Sequence, residues 1–529
     1  MEAWDVVVVG GGIAALRAAI SASDAGASVT VLSAGAPSSP EGSLSCGMAA
    51  SLGETDHTGH AADTMRVGSE LCESDVVIRV TASASNHLSE LERWGLMLRR
   101  DGNGLPELGL LPGQSTARTV GTGDSTPREV LALLEEQCIK RRIPRRGDIE
   151  VLDLVLTDSG SRGLIALDIQ SGDILAIQAK AIILASAGYE GAWNGGNIGM
   201  GTAASLVLRS DLALADLEFA SLHPLTVAEV DLQLPLDLLG AGGVVNGPDG
   251  APLACDDGPD ALARTILSAD GASLDLSGIS RADHAWFAGV SATLASRCGI
   301  DAATECIPLM PTVGQTIGGI PTDADGAVIN RDWDAIVPGL FAAGDAACSG
   351  LHGAAANSGD NMLGALAGGA TSGTSAASHA ASTRFSGSSA ISVALSDAHH
   401  MHDRVLEAAG NGGTSAGALL ESLSSTMRTH MGTSRDAAGL SAAAAAITEL
   451  RTTEFGIYDT SPVMNMELVS MRRTQGLLNI AEATVAAALA REESRGCHVR
   501  SDHPETDTGH IHHFLVAGDG TVSTLSLRN

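Results

Sequence analysis

Lysine is almost missing from this chain of 529 residues: Lys140 and Lys180 are the only two. Arginine supplies the rest of the positive charge, 31 Lys+Arg stand against 62 Asp+Glu, and the formal net charge is -31. A surface of that sign repels phosphate, which argues against a nucleic-acid partner held on a basic patch. The eight cysteines, at 46, 72, 138, 255, 298, 306, 348 and 497, contain no C-x-x-C pair. Their spacing supports neither a zinc cage nor an iron-sulfur cluster, and reduced thiols in a cytosolic protein are expected. No apolar run approaches the ~20 residues that cross a bilayer, and the chain opens on a strand instead of a basic leader, so no direct membrane span is expected. A nucleophile elbow in a strand-turn-helix setting is also absent, which leaves hydrolase chemistry without support.

Core material is plentiful. Apolar residues make up 44% and there are 63 glycines, the composition of a globular α/β protein with many tight turns. At ~100–200 residues per domain, two to four domains are expected. Residues 5–33, "DVVVVGGGIAALRAAISASDAGASVTVLS", read as strand, glycine turn, helix, strand. Apolar strands ending in small residues recur at "AKAIILASAGYEG" (179–191) and "GLFAAGD" (339–345). Between 242 and 322 the pattern breaks into short mixed elements, an inserted lobe. Residues 370–396 read as a helix followed by a flexible connection, and 399–493 are helical by periodicity.

"GGGIAA", Gly10 to Ala15, follows a strand and opens a helix, the setting of a dinucleotide fingerprint. Gly10 permits the turn, Gly12 lets backbone amides approach a pyrophosphate, and Ala15 packs helix on strand. The acidic residue expected after the second strand for an NAD ribose is replaced by Ser33, which argues against plain NAD. The distant "GLFAAGD" returns Gly344 and Asp345 to the same crevice, where a carboxylate suits the polyol of FAD. The histidine clusters at 399, 400 and 402 and at 510, 512 and 513 read as exposed polar segments, and no metal is expected.

Taken in order, "GGGIAA", "VTVLS", "DLEFASLHPLT", "SLDLS", "PTVGQTIGGIPTD", "GLFAAGDAACSGLHGA" and "REESRGCHVRSDHPE" resemble the flavoprotein subunit of succinate dehydrogenase and fumarate reductase, with its relative L-aspartate oxidase, over nearly the whole chain. The resemblance implies a Rossmann-like α/β FAD-binding domain (1–241 and 323–385), an inserted α+β capping domain (242–322) and a helical C-terminal domain (399–529). It implies hydride transfer between flavin N5 and an organic acid. Arg264 in "DALARTILS" matches the proton-shuttling arginine, and His223 and His352 match substrate-carboxylate contacts. Gly10, Gly12, Ala15, Ser33, Gly47, Gly344, Asp345, Asn361 and Leu363 match the cofactor site. An iron-sulfur subunit is the implied partner, in a complex peripheral on the inner face of the cell membrane with this chain on the cytoplasmic side. An L-aspartate-oxidase-like enzyme and a noncatalytic FAD-binding subunit of a respiratory complex are the alternatives.

Departures from the family pattern concern charge. The family's "HGANR" reads "HGAAA" here, with Ala355 and Ala356 at its last two positions. The carboxylate-binding Thr and Glu fall on Pro235 and Leu236, and the Arg and Glu of "RGEGG" fall on Leu239 and Ala241. A histidine elsewhere becomes Gly314, and the one that carries covalent flavin becomes Glu41, so FAD is expected to be noncovalent. Losing a buried charge partner costs about 3–5 kcal/mol, which implies either a less charged substrate or abandoned catalysis.

Overall fold

The computed structural model describes residues 2–35, 46–52, 56–196, 199–230, 232–410 and 412–528. Strand β1 (Glu2–Val9) leads through the glycine turn into helix α1 (Ile13–Asp24) and strand β2 (Val29–Leu32), and strand β3 (Ile174–Leu184) lies on its other side. All three run parallel, with Val7 opposite both Thr30 and Ile182. Val7 and Val9 enter one apolar cluster while Val6 and Val8 enter another, so β1 is covered on both faces and its unbroken valine run follows.

The chain departs from this sheet through β4 (Ala220–His223) and passes into a lobe that includes α2 (Asp237–Gly240) and α3 (Pro259–Ala269). It comes back through β5 (Thr312–Thr316), which pairs antiparallel with β4 and pinches the base of the lobe. The lobe's apolar cluster contains Leu225, Val227, Leu262, Ile307 and Leu309. Its core therefore starts ahead of the expected residue 242, because Leu225 and Val227 already lie beyond the pinch.

Strand β6 (Ile336–Ala342) then joins β3 in parallel, Leu340 opposite Ile182, and helix α4 (Asp360–Ser382) lies against α1. Among the described residues the main sheet has eight strands, with the path Ala327–Ile329, β6, β3, β1, β2, Arg145–Arg146. The contact between α4 and α1 is close because small residues face it: Gly369 and Gly373 sit over the Ala14 and Ala18 carbonyls.

A second helix, Ser389–Glu407, follows α4 after a short break, where a flexible connection was expected. Two more helices lead to α5 (Met466–Ala490). The C-terminal domain does not end in helix, however. Strands β7 (His512–Ala517) and β8 (Val522–Ser526) form a hairpin, and β7 pairs back with Ala213–Ala215. Among the described residues no helix is long and apolar enough to cross a membrane.

Candidate active site

Two glycine segments, more than 300 residues apart in sequence, meet at the start of α1. Gly10 has φ +130°, and a Cβ there would stand 2.1 Å from the Ala185 carbonyl oxygen, so only glycine is accommodated. Gly12 caps α1 without any side-chain hydrogen bond, leaving the first amides of the helix for an anion. Ala15 is fully buried beneath the turn. Gly344 has φ +66°, and its Cβ position lies 2.6 Å from the Ala14 Cβ, which sets the second segment on the first turn of the helix. Ser33, buried at the end of β2, donates its hydroxyl to the Gly35 carbonyl at 2.8 Å.

A cavity opens on each side of this junction. One, of about 630 Å³, is lined by Gly10, Leu32, Ser186, Met200, Gly201 and Arg473. The other is lined by Gly344, Asp345, Gln315, His352 and Asn361. Burial raises the Asp345 carboxyl to about 6. Burial, reinforced by Asp345, raises Glu190 to about 7. Nδ1 of His352 and Oδ1 of Asn361 are buried without a hydrogen-bond partner. An uncapped helix end between two cavities, one holding a desolvated carboxylate and unmet polar atoms, fits a dinucleotide with a polyol on one side of its pyrophosphate. Leu363 stays in the apolar cluster beneath and reaches neither cavity. Glu41 lies outside the described residues.

A third cavity adjoins the second. Cys46, His223, Leu236, Pro259, Ala356 and Asn357 are among the residues lining it, while Gln315 and Asn361 border both cavities. The side-chain amide of Asn361 donates to Gln315 Oε1, so the two form one wall. Thus His223 and His352 occupy neighbouring chambers with that wall between them. His223 donates Nε2–H to the Leu234 carbonyl at 2.8 Å, and burial lowers its pKa to about 4. Burial also lowers His352. Both rings are neutral at pH 7. Gly47 donates its amide to Asp237 at 2.9 Å, and burial raises that carboxyl to about 6.

Arg264 stands apart from this chamber. Asp260, one helical turn earlier on α3, captures its guanidinium, and Nη1 also donates to the Gly496 carbonyl at 3.1 Å. The arginine expected to shuttle protons is therefore tied down outside the cavity that holds His223. Asn357 and Cys46 are the members that sequence reasoning missed, with Asp237 behind them on the Gly47 amide. Cys46 was within reach, since it directly precedes Gly47.

The tail motif has a different environment. Arg491 pairs with Glu218 at 2.6 Å and with Glu493 at 3.1 Å, and Arg495 grips Glu493 at 2.9 Å, all within the interior. The Arg491 guanidinium lies 4.9 Å from the Phe219 ring and 4.5 Å from that of Phe514. His513 bonds Asp216 and, at 3.3 Å, Glu73, and these two carboxylates raise its pKa to about 10. His513 and His402 are buried, in contrast to the exposed segments expected, because β7 turns His513 inward and His402 lies on the inner face of its helix. Among the described residues no His, Cys, Asp and Glu group could hold a metal.

Comparison with known proteins gives the geometry a lineage. Residues 5–362 match the FAD binding domain model, and residues 420–528 match the fumarate reductase flavoprotein C-terminal model. The fumarate reductase flavoprotein subunit of Mycobacterium tuberculosis is 30% identical, with 98% of this chain and 96% of the relative covered. The succinate dehydrogenase flavoprotein subunit of Rickettsia conorii is 28% identical over 98% of this chain and 93% of its own. An Escherichia coli quinol fumarate reductase structure superposes with a TM-score of 0.91 at 25% identity, covering 100% of this chain and 98% of that one. The two glycine segments on α1, the capping lobe and the ion-paired tail are thus features of an FAD-dependent oxidoreductase, and the chain belongs to the family of succinate dehydrogenase and fumarate reductase flavoprotein subunits.

Proposed function

We propose that this chain is the flavoprotein subunit of a complex that exchanges hydride with a small organic acid and hands the electrons to an iron-sulfur partner. The contact between Gly344 and Ala14 carries the reading, because it brings a polyol-binding carboxylate beside an uncapped helix end. Bound FAD supplies hydride exchange at its N5. Gly10, Gly12, Ala15, Ser33 and Gly47 are assigned to one side of the cradle, with Gly344, Asp345 and Asn361 on the other and Leu363 as apolar support. His223 and His352 are assigned to the substrate as neutral hydrogen-bonding rings, His223 in its chamber and His352 from beyond the wall of Asn361 and Gln315. Arg264 acts as a positioning residue: it holds Asp260, whose other oxygen accepts the Leu222 amide at 2.8 Å on the cavity wall. With Glu41 where an attachment histidine would stand, FAD is held without a covalent bond. The relatives are named as subunits, which supports a partner chain; a place on the inner face of the cell membrane through such partners belongs to the same proposal.

The test is purification with FAD supplied. A yellow protein whose flavin is released by acid precipitation is expected; a colourless protein with no FAD affinity overturns the reading. Gly10→Val should abolish FAD retention while leaving the far-ultraviolet spectrum intact, because its side chain would occupy the Ala185 carbonyl. Anaerobic bleaching of the flavin by a small organic donor is the expected sign of catalysis, and failure across a broad panel points to a noncatalytic subunit.

A further inference from the structure

The chamber around His223 is built without a cation. Among the described residues neither Arg nor Lys lines it. Residues 36–45, 53–55, 197–198, 231 and 411 include no Arg, Lys or His in sequence, so none of them adds a positive side chain. Its walls carry Leu236, Pro259 and Ala356 instead. Guanidiniums on adjoining elements are already engaged: Arg264 by Asp260, Arg118 by Asp63 at 2.6 Å, and Arg435 by the Glu218 carbonyl at 2.7 Å. Carboxylates are close by. Asp237 holds the Gly47 amide, Asp260 holds the Leu222 amide, and Asp360 precedes Asn361 and is paired with His60 at 2.6 Å.

The chamber also has an unmet group of its own. Asn357 is 2% exposed, its Oδ1 accepts the Ser358 amide at 2.9 Å, and its Nδ2 has no partner. A buried donor left unpaired is costly, and a ligand oxygen that meets it is favoured. A carbonyl oxygen does this at no Coulombic cost. A dicarboxylate would bring two negative charges into a chamber whose described lining carries neither lysine nor arginine, so no bidentate partner meets them.

We propose that this chamber binds an uncharged carbonyl compound, a small carboxylic acid masked as its amide or ester, in preference to a free dicarboxylate, with Asn357 Nδ2 donating to the carbonyl oxygen. The inference rests on the reading of the chain as an FAD oxidoreductase whose substrate enters this chamber. Ala356, Leu236 and Pro259 are its specificity-determining walls.

Calorimetric titration of the FAD-loaded protein with fumaramide, dimethyl fumarate and fumarate at matched ionic strength tests it. At least one neutral probe should bind ~100-fold more tightly than fumarate, the scale set by a missing charge partner. Fumarate binding as tightly as both neutral probes, or neither neutral probe binding, overturns the proposal. Asn357→Leu, close in volume, should weaken the preferred probe by ~10-fold through the lost hydrogen bond while FAD content is retained; an unchanged affinity removes Asn357 from the role. Should that variant fail to fold, Ala356→Arg carries the same test from the other direction, with fumarate affinity expected to rise by ~10-fold or more; no rise counts against the charge argument. A protein that never retains FAD overturns the underlying reading, whereas one that retains FAD and prefers fumarate overturns this inference alone.

Discussion

The chamber around His223 and the tail cluster around Arg491 are both interior, yet they handle charge in opposite ways. The cluster gathers Arg491, Arg495, Glu218, Glu493, Asp216 and His513 and matches nearly every sign with its opposite. The chamber keeps one neutral histidine, side-chain amides and apolar walls, with carboxylates behind them. Buried charge is tolerated only when its partners are fixed. In the tail the partners are fixed by the fold itself; in a binding chamber one partner must come from the ligand. The tail retains its pairs because the protein supplies both halves, and the chamber's lack of cations therefore describes its ligand.

The comparison breaks most readily at Arg491. Replacing Arg491 with Met strands Glu218 in the interior, while Arg495 still holds Glu493, and a loss of about 3–5 kcal/mol is expected in urea denaturation. Arg491→Lys should rescue only part of it, because one ammonium cannot span two carboxylates and also fill the gap between Phe219 and Phe514. A loss below about 1 kcal/mol for the Met variant would mean that the cluster is not structural.

His513 gives the next effect, and its sign is set by the two carboxylates around it. Its folded pKa of about 10 lies above the ordinary 6.5. The stabilisation is therefore fully present below pH 6.5 and is lost as pH rises toward and through 10. The acidic groups facing it are Asp216 and Glu73, with Arg491 and Arg528 behind them. Melting temperature should fall across that alkaline window in the native chain. His513→Gln should flatten the fall; an unchanged slope would assign it to other groups.

These two regions also mark how far the sequence could be read. The cradle was legible because each part is local: a valine run, Gly10 to Ala15, and "GLFAAGD" all announce a strand ending in a turn. The meeting of Gly344 with Ala14 was legible only through the order of motifs across the chain. The pairing of Arg264 was missed although it is local: Asp260 stands four residues earlier on α3, the spacing at which an acid captures a basic side chain. "HIHH" looks polar and exposed in sequence. His513 is buried because Glu73 and Asp216, both hundreds of residues away, converge on it. The lobe boundary was placed late because the pinch between β4 and β5 is made by two short strands without a periodic signal.

On the acid side the chamber has its own signature, since His223 is held neutral by burial with a folded pKa of about 4. Between pH 6.5 and 4 the unfolded chain takes up a proton that the folded one refuses, so stability falls as pH drops through that window. His223→Gln keeps a donor toward Leu234 and should lessen the acid loss without altering stability at pH 8. Thermal melts at both ends of the window check this; an equal acid loss in the variant would detach it from His223.

The smallest effect belongs to Asp237, which lies behind the chamber wall and accepts the amide of Gly47, next to the lining residue Cys46. Burial lifts it to about 6 from an ordinary 3.8, while the Gly47 amide pulls it part of the way back. Above pH 6 the folded protein bears an ionised, poorly solvated carboxylate; below pH 4 both folded and unfolded forms are protonated and the cost is gone. Asp237→Asn keeps an acceptor for Gly47 and removes the charge. A gain of about 1–3 °C in melting temperature is expected at pH 8 and none at pH 4. If a cation outside Gly47 held the Asp237 carboxylate, the variant would instead lose stability at pH 8. The sign of this small shift therefore reports whether negative charge behind the chamber wall is a burden or a partner.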